Sequence, residues 1–117
     1  MIDNLKELKT IDELTQALEE SATKPVLLFK HSLTCPISAR ALGEFQFYLK
    51  QADSRVSYHL IKIQNARDVS NEAAARLRIE HQSPQAILVR DGRQVWNASH
   101  FAITSTALAQ AIQSICF

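Results

Sequence analysis

Apolar positions recur along this chain with two different periods, and the alternation between them predicts its elements. Thr10-Ile11-Asp12-Glu13 is a capping box, with Thr10 as N-cap and Glu13 three positions later. Ile11, Leu14, Leu18 and Ala22 follow at helical spacing, so residues 11–21 read as an amphipathic helix that Pro25 ends. Val26, Leu27, Leu28 and Phe29 form a continuous apolar run, the mark of a strand buried on both faces. Pro36 suits the first position of a second helix, because its missing N–H would have no partner there anyway. Ile37, Ala41, Leu42, Phe45, Tyr48 and Leu49 then stripe residues 36–52. Residues 57–63 are rich in strand formers and alternate in part, which predicts a second strand. Asp68 or Ser70 can cap a third helix that carries Val69, Ala73, Ala74 and Leu77 on its apolar face. Ser83-Pro84 breaks the pattern before the strand Ala86–Val89, and Asp91-Gly92 joins that strand to Gln94–Asn97. An Asp-Gly pair between apolar runs is a strong signal for a two-residue hairpin. Thr104 caps a last helix containing Leu108, Ala109, Ile112 and Ile115. Strands joined by helices pair in parallel, and the closing hairpin adds an antiparallel edge. The expectation is an α/β fold, with a four-stranded mixed sheet covered by helices on both faces.

Composition narrows the function. The 117 residues suit one domain, with no repeat, linker or charge block to divide residues 1–117. With 46% hydrophobic and 21% charged residues, only two Gly and three Pro, disordered and collagenous classes are excluded. A formal net charge of +1 offers no composition-level argument for nucleic acid or for an anionic membrane as partner. Residues 1–6 show no cationic stretch followed by an apolar run, and no window approaches about 18 consecutive apolar residues. The expected compartment is therefore the cytoplasm, where thiols stay reduced and disulfides are mostly transient and catalytic. Two cysteines, Cys35 and Cys116, cannot build a disulfide scaffold or a four-ligand zinc site, and no His or Cys pair has metal-ligand spacing.

Cys35 carries the candidate chemistry. It falls just past the carboxyl end of a predicted buried strand and at the N-cap of a helix, where open α/β sheets place reactive groups. The first-turn amides of Ile37 and Ser38 lack carbonyl partners within the helix and are expected to donate to a thiolate. Position 38 is Ser, so the motif is C-P-I-S and not C-x-x-C. The resolving thiol of a dithiol oxidoreductase is absent, and a mixed disulfide on Cys35 must be cleared by an external thiol. The plain alternative is a cysteine that merely caps a helix.

The element order is that of the thioredoxin fold, and three stretches sharpen the likeness. Thr34-Cys35-Pro36-Ile37-Ser38, His81-Gln82-Ser83-Pro84-Gln85 and His100-Phe101-Ala102-Ile103-Thr104 resemble the monothiol bacilliredoxin family. This resemblance implies removal of bacillithiol from S-bacillithiolated client proteins. Cys35 would attack the bacillithiol sulfur, with Thr34, Pro36, Ile37 and Ser38 around it. A second bacillithiol would regenerate it, and a flavin-containing, NADPH-dependent reductase would recycle the bacillithiol disulfide. Bacillithiol would be a co-substrate, with no tightly bound cofactor and no metal. The resemblance also implies a cis Ser83-Pro84 bond beside the cysteine, leaving the Ser83 backbone to pair with an extended substrate. Where thioredoxins usually carry Trp before the cysteine, this chain has Thr34.

Other residues have competing readings. Lys30 and His31 read first as solvated loop side chains; alternatively they favour the thiolate or hold a carboxylate of bacillithiol's malate group. Arg40, one turn into the active-site helix, is open in the same way. Cys116 fits the apolar stripe of the last helix and reads as packing. His59 reads as a packed or surface-facing residue, and Trp96 as core or rim. Two rival functions stay open: a monothiol glutaredoxin-like iron–sulfur carrier, although such proteins usually present C-G-F-S, and a non-enzymatic adaptor in which Cys35 is incidental.

Overall fold

A computed structural model describes residues 5–115. Its elements run β1 (Leu5–Glu7), α1 (Ile11–Glu20), β2 (Val26–His31), α2 (Pro36–Leu49), β3 (Ser57–Lys62), α3 (Arg67–Leu77), β4 (Gln85–Arg90), β5 (Arg93–Ser99), a 3-10 turn (His100–Ala102) and α4 (Ser105–Gln113). The sheet has five strands and not the expected four, in the order β1-β3-β2-β4-β5. The unexpected strand is β1. Three residues are too few for a period to be legible, and β1 exists because Leu5, Lys6 and Glu7 pair in parallel with Tyr58, His59 and Leu60 of β3. β2 also runs parallel to β3, while β4 is antiparallel to β2, and β5 to β4.

Local signals set most boundaries. Thr10 Oγ1 accepts from the Glu13 amide at 3.1 Å, and Glu13 Oε1 accepts in return from the amides of Thr10 and Lys9. Helix α1 stops at Glu20, and Ala22 lies exposed beyond it instead of extending the stripe. Buried Ser21 ends the helix: its carbonyl accepts from the Asp91 amide and Arg90 Nη1, and its Oγ accepts from the Gly92 amide, each at 2.8 Å. These bonds also fix the hairpin turn, where Asp91 (φ 56°) and Gly92 (φ 73°) both occupy the left-handed region that a type I′ turn requires. Thr104 caps α4 by accepting from the Ala107 amide at 3.0 Å.

Helix α2 ends at Leu49 and not at residue 52, because the chain tightens there into i−3 hydrogen bonds from Gln51 and Ala52. Neither Asp68 nor Ser70 caps α3. Ala66 is the N-cap and makes no side-chain capping bond. Asp68 and Ser70 lie inside the helix, which is entered through a turn in which the Ala66 amide donates to the Lys62 carbonyl at 3.0 Å.

Two cores flank the sheet. Leu27, Phe29, Phe45, Tyr58, Leu88, Leu108 and Ile112 fill the side covered by α2 and α4. Leu14, Val26, Leu28, Ile61, Val69 and Ile87 fill the side covered by α1 and α3. Phe29 of β2 stacks on Phe45 of α2 with ring centroids 4.7 Å apart, locking α2 to the central strand. Each fully buried ring of this kind contributes about 1.5–3 kcal/mol. Half-buried Trp96, opposite Leu88, packs at the edge of the first core.

Candidate active site

The carboxyl end of β2 and the amino end of β4 meet at one pole of the sheet, since Lys30 pairs with Gln85. Four residues past β2, Cys35 is the N-cap of α2, in extended backbone (φ −101°, ψ 121°) and half-buried. Its neighbours Thr34 and Pro36 are exposed, and Ile37 is half-buried. The Cys35 carbonyl accepts from the Ala39 amide at 3.0 Å, which starts the helix. Its sulfur makes no capping hydrogen bond, so the expected donation from the Ile37 and Ser38 amides is not formed here.

Ser38, at the position of a resolving thiol, is wholly buried. Its Oγ accepts from the Ser32 amide at 2.9 Å and stands 2.8 Å from His31 Nδ1. The hydroxyl therefore closes the loop between β2 and α2. Gln64, just beyond β3, holds the same loop from outside. Its Oε1 accepts from the Leu33 amide at 2.9 Å, and its Nε2 donates to Ser32 Oγ at 2.9 Å and to Thr34 Oγ1 at 3.4 Å. Nothing in the sequence around Gln64 marks it for this role, because the contact spans about thirty residues.

Lys30 and His31 are not solvated loop residues. Strand β2 runs two residues past its apolar run, and its position between β3 and β4 buries both side chains. The strand alternation then separates them. His31 shares the α2 face with Phe29 and meets Ser38, whereas Lys30 points to the opposite side. There Lys30 Nζ donates to the Ser70 carbonyl and lies 3.0 Å from His81 Nδ1. Burial pushes the Lys30 ammonium pKa down to about 8. Burial, aided by the charge of Lys62, also holds His31 below the ordinary histidine value. His81 is lowered by burial and then by Lys30 and Arg67. His59, in β3, is a packed residue whose Nε2 lies 3.4 Å from Glu20 Oε1, and burial lowers it too.

Ser83-Pro84 is a cis peptide immediately before β4. The Pro84 carbonyl accepts from the His100 amide at 3.1 Å, which brings the third family-like stretch to the same pole. Ser83 Oγ is buried without a hydrogen-bond partner among the described residues. His100 itself has a left-handed backbone (φ 55°), and next to it Phe101 lies under Arg40 of α2, with the guanidinium carbon 5.5 Å from the ring centroid. The structure thus gathers Cys35, Ser38, His31, the Ser83-Pro84 bond and Arg40 around one end of the sheet. It leaves Lys30 behind the sheet, and Cys116 lies outside the described residues. Among the described residues no group of three His, Cys, Asp or Glu side chains could hold a metal ion.

Comparison with known proteins matches this arrangement. A candidate oxidoreductase with a thioredoxin fold superposes with a TM-score of 0.81 at 37% identity, over 92% of this chain and 93% of that one. Thioredoxin O2 from Arabidopsis thaliana (TM-score 0.75, 16% identity, 98% of this chain and 96% of that one) and the thioredoxin of Fasciola hepatica (0.72, 16%, 92% and 96%) share the fold. The family model described as monothiol bacilliredoxin BrxC matches residues 6–108, which include every element from β2 to β5 and the cysteine with its serine three positions on. This is a redox protein of thioredoxin fold, and the chain belongs to the monothiol bacilliredoxin family.

Proposed function

We propose that this protein removes bacillithiol from S-bacillithiolated proteins in the cytoplasm, acting through Cys35 alone. The Cys35 thiolate attacks the bacillithiol sulfur of the mixed disulfide. A new S–S bond joins Cys35 to bacillithiol, the old S–S bond breaks, and the client leaves as a thiolate that takes a proton from water. The thiolate of a second bacillithiol then attacks the sulfur of the adduct held by Cys35, forming bacillithiol disulfide and releasing the Cys35 thiolate. A flavin-containing, NADPH-dependent reductase returns that disulfide to two thiols. The protein needs no bound cofactor for either exchange, because both are direct displacements at sulfur.

The observation that carries this reading is Ser38. It occupies the resolving position, is wholly buried, and is engaged with His31 and the Ser32 amide. A hydroxyl cannot displace a disulfide, so the adduct on Cys35 must persist until an external thiol arrives. Half-buried Cys35 at the mouth of the loop is open to such a thiol. The test is intact mass of the reduced protein after incubation with bacillithiol disulfide. One bacillithiol per chain is expected, and none on Cys35→Ser. No adduct, or an adduct that survives Cys35→Ser, would overturn the proposal.

A further inference from the structure

Of the basic side chains that the sequence offers beside Cys35, namely Lys30, His31 and Arg40, the fold buries two and exposes Arg40. Lys30 is wholly buried and spent on the Ser70 carbonyl and His81. His31 is buried against Ser38. Arg40 is exposed and pairs with no carboxylate among the described residues. It lies five residues along α2 from Cys35, about 7.5 Å of axial rise.

Phe101 holds Arg40 in place. Phe101 is 62% exposed, and its ring sits under the guanidinium at 5.5 Å. A guanidinium held over a ring by cation–π attraction keeps its N–H donors, and its planar fork suits a carboxylate in bidentate fashion. The ring in turn is positioned by the turn that begins at His100, which is tied through its amide to Pro84. The cation is therefore fixed to both segments that flank the reactive thiol.

Resting on the function proposed above, we infer that the Arg40–Phe101 pair is the carboxylate site for the malate group of bacillithiol, and so selects this thiol over uncharged ones. The sulfur of the co-substrate meets Cys35, while its carboxylates, on the far side of the sugar, reach the guanidinium edge. Phe101 acts on the ligand only through Arg40.

The test compares rates of mixed-disulfide formation on the reduced protein with two reagents: bacillithiol disulfide, and the disulfide of the same thiol lacking its malate. Arg40→Gln should slow the first reaction by about tenfold or more, the loss of one charge-assisted contact, and leave the second within about twofold. Phe101→Leu should produce the same selective loss to a smaller degree. The wild-type preference for the malate-bearing reagent should shrink as salt rises, because an exposed ion pair is screened. Equal slowing of both reactions by Arg40→Gln would make Arg40 a mere support of α2, and no slowing of either would also overturn the inference. Failure of wild-type protein to react with bacillithiol disulfide at all would instead overturn the proposed function.

Discussion

At the scale of single residues, the proposed one-thiol chemistry rests on the serine at position 38, and substitution there tests it. Cys35 and Ser38 are the N-cap and third residue of α2, the spacing of a C-x-x-C pair. Ser38→Cys places a second thiol one turn from the first. After bacillithiol disulfide treatment this variant should carry an intramolecular disulfide and no adduct, measured by intact mass. Accumulation of the adduct would show that position 38 cannot reach Cys35. Lys30 gives a second residue-scale prediction. Its pKa is about 8 in the fold and about 10.5 in the unfolded chain. Between those values the unfolded chain binds the extra proton, so raising the pH stabilises the fold, and below pH 8 the full penalty is present. Lys30→Met removes this dependence. Its stability relative to wild type should fall by on the order of 2 kcal/mol between pH 7 and about pH 10, read from urea unfolding. A difference independent of pH would contradict the burial argument. The placement of Cys35 at the N-cap of α2 was legible from the sequence, since it depends on the local order of strand, proline and helix. The burial of Lys30 and His31 was not, because a polar residue ends an apolar run on paper while the neighbouring strands β3 and β4 carry β2 two residues further.

At the scale of elements, the loop between β2 and α2 is held from two sides, by Ser38 within and Gln64 without. Gln64→Ala removes three hydrogen bonds from exposed or part-exposed groups, and should lower stability by about 1 kcal/mol. Its specific signature is faster hydrogen exchange at the Leu33 amide, which loses its acceptor. Unchanged exchange there would mean that the loop is set by Ser38 alone. Elements whose signals are local were readable in advance: the capping box at Thr10, the cap at Thr104 and the Asp91-Gly92 turn each involve residues within four positions of one another. The start of helix α3 is not legible in the sequence, because its entry is made by backbone bonds from the Lys62 turn, which leave no side-chain signature. Strand β1 escaped because its pairing partner lies about fifty residues away.

At the scale of the molecule, two cores clamp the sheet and the candidate site residues lie at one pole. That pole is assembled by long-range pairings: β2 with β4 sets Ser83-Pro84 beside the end of the strand that leads to Cys35, and the His100 amide fastens Phe101 to the same end. Sequence patterns pointed to the segments that meet at this pole, but not to the burial of Lys30 and His31 while Arg40 stays exposed. The central claim is that one thiol, without a partner in the chain, performs de-bacillithiolation. The most direct measurement follows a bacillithiolated client protein by mass spectrometry after mixing with reduced wild-type protein in excess. The account predicts that bacillithiol moves from client to Cys35 one for one, that added bacillithiol then makes turnover catalytic, and that Cys35→Ser transfers none. A client that keeps its bacillithiol in the presence of wild-type protein, or loses it equally to Cys35→Ser, would contradict it.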